Sequence, residues 1–250
     1  MKNKIITIFA FFLSFYLNAE QTEITTTGGI EVFKQEKYYL LKDEVIIISD
    51  NFELKADLVK AFFEKDLYDI IKIDSKGNVN FESKRGVEGK GEKIIMDLLN
   101  EDILIEGKES LLINNNIIME SDKMIAVNNA TGAFKIDGNK SKLTGEDIFI
   151  SGSLIEGVFL NIDGINEVQD IYVSDKNEVN IKTETLNMFS LEAKYNKKQN
   201  IIELFENVKI IRNNESVEGN YAKINTVNES YKVTSNNKEK VKILLNESTE

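Results

Sequence analysis

The sequence predicts an all-β protein built by repetition, and three observations carry the prediction. First, one phrase returns six times. An apolar residue, a spacer and a small or short polar residue are followed three positions on by a second alternating segment. Leu54-Lys55-Ala56 leads to Val59 and Ala61, Val87-Glu88-Gly89 leads to Glu92 and Ile94, and further copies start at Met119, Leu143, Ile181 and Val217. The spacing is roughly 24 to 38 residues, the range of one supersecondary unit stacked many times. Second, runs of four to eight residues rich in Ile, Val, Phe and Tyr alternate with clusters of Asn, Gly, Asp and Ser, without a helical period. Third, Pro is absent, so no strand ladder is forced to lose a donor.

In chain order, the clearest strands are Val45–Ile48, Asn78–Phe81, Ile103–Ile105, Phe134–Ile136, Ile148–Ile150 and Val208–Ile211. Between them lie Lys76-Gly77-Asn78, Asn114-Asn115-Asn116, Asn128-Asn129, Asp137-Gly138-Asn139 and Arg212-Asn213-Asn214, which supply the positive φ that tight hairpin turns need. Leu54–Lys65 and Gly91–Asn100 each read as a bent pair of strands better than as a helix, with Ala56 and Gly89 placed where a corner crowds larger side chains. Two repeats align in register: Val87-Glu88-Gly89 with Lys93 and Ile94 corresponds to Val217-Glu218-Gly219 with Lys223 and Ile224. Each follows an Asn-Val strand, at Asn78-Val79 and at Asn207-Val208. Gly157–Asp175 fits the pattern worst and reads as a longer connection or a weak division of the chain.

Composition narrows the function. Residues 1–19 have the layout of a secretory signal: basic Lys2 and Lys4, an apolar Ile5–Leu17 and a small Ala19 at a cleavage point, with residues 20–250 as one domain. Leu17 is a poor cleavage residue three places before the site, which leaves an uncleaved anchor open. Removing Lys2 and Lys4 lowers Lys+Arg from 31 to 29 against 42 acids, for a net charge near −13. Nucleic acid is therefore excluded as a partner, since duplex binding needs a basic face. No His and no Cys occur, which removes Ser-His and Cys-His catalysis, the usual zinc ligands and any disulfide. The pairs Glu101-Asp102 and Glu146-Asp147 lack the spacing of a calcium loop and read as solvated turns. No enzyme, metal or cofactor is expected.

Period-two alternation assigns the faces. Val79 and Phe81 point one way and Asn78 and Asn80 the other; Phe134 and Ile136 oppose Lys135 and Asp137. The apolar face is either an ordinary sandwich core or a trough able to hold long alkyl chains. Lys93 and Lys223 recur at equivalent positions and read as part of a solvated strand face, the other reading being contact with ligand phosphates.

The phrases Gly28-Gly29-Ile30-Glu31-Val32-Phe33, Leu54-Lys55-Ala56-Asp57 and Gly77-Asn78-Val79, with Glu206-Asn207-Val208 and Val217-Glu218-Gly219 later, resemble the OstA-like family over roughly residues 24 to 245. Soluble periplasmic members of that family carry lipopolysaccharide between the two membranes of Gram-negative bacteria. The resemblance implies a twisted, open-ended antiparallel β-jellyroll, V-shaped in section, that stacks head to tail. It implies a lipid groove lined by Ile46, Leu54, Val79, Phe81, Ile103, Ile105, Phe134, Ile136, Leu143, Ile148, Ile150, Val208 and Ile210. It also implies partner-facing edge strands carrying Ile24, Ile30 and Val32 at one end and Tyr231, Val233, Val241 and Ile243 at the other. An LptC-like inner-membrane protein is expected at the N-terminal edge and an LptD-like outer-membrane protein at the C-terminal edge. Two other readings stay open: an anchored, LptC-like role for the same fold, and a structural envelope β-solenoid that binds no lipid.

Overall fold

The computed structural model describes residues 22–65, 69–84, 86–162, 165–213, 215–236 and 240–245. The proposed signal at 1–19 lies outside them. The described chain is all-β and its strands pair antiparallel in one continuous sheet. The strands are β1 (Glu23–Thr25), β2 (Ile30–Phe33), β3 (Tyr38–Ile48), β4 (Phe52–Phe63), β5 (Ile70–Ser83), β6 (Val87–Asp97), β7 (Asp102–Glu106), β8 (Ser110–Asn114) and β9 (Ile117–Ser121). They continue as β10 (Met124–Asn128), β11 (Ala133–Thr144), β12 (Phe149–Ile162), β13 (Ile165–Lys182), β14 (Asn187–Asn196), β15 (Ile201–Arg212), β16 (Glu215–Asn225), β17 (Tyr231–Thr234) and β18 (Lys242–Leu245).

Most of these strands are far longer than the four-to-eight-residue runs visible in sequence, because each crosses a corner. The pairing of β3 with β4 shifts register between Lys42 and Val45, that of β5 with β6 between Lys76 and Val79, and that of β15 with β16 between Phe205 and Val208. Four rungs are interrupted at the same place: β1 and β2 both pair with β3, β7 and β8 with β6, and β17 and β18 with β16, while β9 and β10 both pair with β11. The eighteen strands are therefore fourteen bent rungs. One limb of every rung lies in a first wall (β1, β8, β9, β18 and the corresponding limbs) and the other in a second wall (β2, β7, β10, β17 and theirs). A sheet that covers one of its own faces this completely must fold so that its two walls meet, since the described residues form no other layer.

The corners explain the sequence motifs. On rungs running from the second wall to the first, extra residues bulge out in the left-handed region: Asp43 and Glu44 (φ 59° and 49°), Gly77 and Asn78 (77° and 46°), and Glu206 and Asn207 (61° and 52°). A buried Val follows each of these bulges: Val45, Val79 and Val208. Lys76-Gly77-Asn78 and Asp137-Gly138-Asn139 are thus corners inside β5 and β11, and the hairpin turns expected there are not formed. Positive φ serves a bulge as well as a turn, so the residues alone do not tell the two apart. Asn115, Asn128-Asn129 and Asn213 do sit at ends of strands.

On rungs running the other way, the small residues lie inside the bend. Ala56 is buried, and a Cβ on Gly89 would come within 3.1 Å of Ile105 Cδ1 and 3.4 Å of Ile94 Cδ1. The reading of both segments as bent strands holds. The repeat itself needs one correction. The phrases at Leu54, Val87, Met119 and Val217 cross a corner, whereas Leu143 and Ile181 lie in limbs that end at the rim. The structural equivalents in that stretch are Ile150-Ser151-Gly152 and Met188-Phe189-Ser190. The unit is a pair of antiparallel rungs, repeating at Leu54, Val87, Met119, Ile150, Met188 and Val217. Gly157–Asp175 belongs to β12 and β13, with both of its described stretches in strand, so the expected longer connection is absent there.

Candidate functional site

The inner faces of the two walls form one apolar core running from Leu41 and Val45 to Ala222 and Ile224. Alternation places the expected groove residues there almost without exception. Leu54, Val79, Ile105, Ile136, Leu143 and Ile150 are fully enclosed, Phe81, Ile103, Phe134, Val208 and Ile210 are buried, and Ile148 is half-buried at the rim. Ile46 is the exception. Its neighbours Val45 and Ile47 face inward, so Ile46 points to the outside of β3. The Glu44 bulge resets the alternation, which an unbroken two-residue count from a neighbouring strand misses.

The outer faces carry cross-strand ion pairs. Lys93 meets Glu106 at 2.7 Å, Lys135 meets Glu156 at 2.6 Å and Lys123 meets Asp137 at 2.6 Å. Lys93 is therefore engaged on the outside of the second wall, and Lys223 is exposed on the outside of β16, opposite Glu203 and Lys232. The hydrogen bond from Lys93 to Glu106 holds its ammonium above the usual lysine range. Glu101 and the Glu146-Asp147 pair sit at strand-connecting turns. Among the described residues no cluster of three or more acidic side chains has the arrangement of a metal site.

Both expected edges are sheet edges among the described residues. β1 and β2 pair only with β3, and β17 and β18 only with β16. Ile30, Val32, Val241 and Ile243 are exposed at 50%, 46%, 40% and 57%. Ile24, Tyr231 and Val233 instead turn inward and pack on the core, with Val241 just outside β18.

Sequence reasoning missed the mouth, where the free rims of the two walls face each other. β11 accompanies β12 only as far as Val158 and β14 accompanies β13 only from Asp170, yet β12 and β13 go on pairing to Ile162 and Ile165. A register shift at Val158 and Phe159 bends this overrunning hairpin, and its Asn166 reaches the rim of the first wall. Asn166 Nδ2 donates to the Asn114 carbonyl at 3.1 Å and to Asn114 Oδ1 at 2.8 Å. Asn116 Nδ2 donates to the Asn166 carbonyl at 3.0 Å, and the Asn166 amide donates to Asn116 Oδ1 at 3.0 Å. Further along the mouth, Glu229 on the second wall bonds Thr185 and Arg212 on the first. These bonds hold the Glu229 carboxyl below its usual range. The Asn-rich turn at 114–116 was the only sequence signal for this contact.

Comparison with known proteins places part of this architecture. A family described as LptA/(LptD N-terminal domain) LPS transport protein matches residues 27–132. Residues 27–132 are thus similar to the OstA-like domains of lipopolysaccharide-transport proteins. The match ends just before β11, and the bent rungs continue beyond it through β18. Among solved structures, one similar chain is LptH, the LptA homologous periplasmic component of the lipopolysaccharide transport device from Pseudomonas aeruginosa. It is 8% identical, with 91% of this chain and 96% of that chain covered at a TM-score of 0.23. Comparison with curated proteins gives no match.

Proposed function

We propose that this chain is a non-catalytic periplasmic bridge that binds lipopolysaccharide and shields its acyl chains between the inner and outer membranes. The observation that carries this reading is an uninterrupted apolar interior spanning an OstA-like sheet left open at both ends. Exposing an acyl chain of about fourteen carbons to water costs on the order of 10 kcal/mol, at about 0.8 kcal/mol per methylene. A carrier therefore needs a continuous apolar path, which stacked rungs supply at any length.

The edges suit end-to-end docking by strand addition. Rung directions alternate, and with fourteen rungs the last runs from the second wall to the first while β1–β2 runs from the first to the second. A second copy added head to tail thus keeps the antiparallel alternation and continues both walls. On this reading an LptC-like protein takes the N-terminal edge and an LptD-like protein the C-terminal edge.

Protein purified from its native periplasm and extracted with organic solvent is expected to yield lipopolysaccharide. Recovery of none, together with no binding of added lipopolysaccharide, overturns the proposal in favour of a structural envelope protein. N-terminal sequencing of the mature chain separates the soluble carrier, with a start near Glu20, from an anchored LptC-like role.

A further inference from the structure

We infer that the acyl chain enters from the side, through the mouth of the C-terminal half, and that the β12–β13 hairpin is the strap closing this port. The inference rests on the lipid-carrying reading above and adds where the chain passes. The side chains at the centre of the interior, Leu54, Ile94, Ile105, Leu112, Ile136 and Ile155 among them, have no exposed surface. Above equally buried Ile117, Met188 and Ile202, a cavity of about 550 Å³ lies between the rims at the mouth, within the range of small-ligand pockets of about 300–1,000 Å³. Ile117, Ile148 and Leu186 of the first wall and Tyr195, Ile202 and Val168 of the second line it. Its apolar floor is thus continuous with the core, and an alkyl chain is the ligand chemistry it fits.

The two ends of the opening are fastened by polar contacts. Asn166 clasps Asn114 and Asn116 on one side, and Glu229 holds Arg212 and Thr185 on the other. Such contacts separate at small net cost where water replaces them, whereas parting the apolar walls exposes their whole inner surface. Lys197 at the same rim is paired with Glu167 of the hairpin at 2.9 Å, a further polar contact that holds the strap, while Glu146, Asp147, Glu184 and Glu229 make the rest of the charged rim acidic.

The chain has no native Cys, so an Asn114→Cys/Asn166→Cys pair gives a unique lock, closed by a short thiol-reactive bridge and opened by cleaving it. The probe is a fourteen-carbon fatty acid bearing a diazirine, with photolabelling rate read by intact mass and labelled positions by peptide mass. Locked protein is expected to label roughly tenfold or more slowly, because its open fraction is removed. Cleaving the bridge restores the rate, and Asn166→Ala labels faster than the parent chain. In the open forms the label falls on residues lining the cavity. Equal rates with the lock closed and open overturn the port alone. Absence of labelling in every form, the parent chain included, overturns the lipid-carrying reading and the port with it.

Discussion

At the residue scale, the corners concentrate the demands on side-chain identity. Gly77 has φ 77°, and a Cβ there would lie 2.2 Å from Asp57 Oδ2, the carboxylate that also accepts from Asn78 Nδ2 at 3.1 Å. This contact is the physical content of the paired Ala-Asp and Gly-Asn-Val phrases: the acid of one rung occupies the corner of the next. Gly77→Ala is expected to destabilise the protein by about 1–3 kcal/mol in denaturant unfolding, from strain and displacement of Asp57. Gly145→Ala, where the nearest contact is an ordinary 3.5 Å, serves as the near-neutral comparison. The face assignment of β3 is tested in the same way. Ile47→Asp buries an unpaired charge and is expected to prevent folding, whereas Ile46→Asp, on the outer face, is expected to change stability by less than about 1 kcal/mol. On the outer face of β16, the hydrogen bond to Glu203 pushes the Tyr221 phenol up to about 12. Folded protein therefore holds this proton more tightly than unfolded chain, and the contribution to stability is lost as pH rises toward that value. Ultraviolet titration should show the latest phenol moving back toward the ordinary tyrosine range in Glu203→Gln, while Tyr195 and Tyr231, raised first of all by burial, keep their own upward shifts.

At the element scale, edges and mouth make separate predictions. Head-to-tail stacking keeps wall with wall, so Val32→Cys should cross-link between copies with Val233→Cys, both on the second wall, and Ile24→Cys with Ile243→Cys on the first. Cross-linking of Val32→Cys with Ile243→Cys in equal yield would sink this register. At the mouth, Glu229 has a depressed pKa, so its contribution is complete above the ordinary glutamate range and lost as pH falls through the folded value. Protection factors at Thr226 and Ser230, measured against the intrinsic exchange rate at each pH, should fall on acidification in the parent chain and be low already at neutral pH in Glu229→Gln. The elements themselves were partly legible in sequence. Short apolar runs located the limbs, because alternation against Asn and Lys is a local property. Their joining into long bent strands was not legible, because Gly77-Asn78 looks the same in a corner as in a hairpin turn. The mouth strap was hidden for a related reason. The match of Asn166 to Asn114 and Asn116 spans about fifty residues and leaves no periodic trace.

At the scale of the whole molecule, stability without Cys, and with mostly exposed ion pairs, rests on one core shared by all rungs. Truncating a central member such as Ile105 or Leu112 to Ala is expected to cost about 2–5 kcal/mol, read as a lowered denaturation midpoint for the whole sheet. By itself the sequence determined that this chain is all-β, repetitive and two-faced, and which apolar residues share a face, because alternation and turn chemistry act over a few neighbours. It also carried the OstA-like resemblance that the domain match bears out over residues 27–132. Only the tertiary structure decided where the sheet folds on itself, that Ile46 lies outside, which phrases are true repeats, and how the mouth is fastened. Each of those depends on residues brought together by the fold of the walls, and chain separation conceals such contacts until the sheet closes.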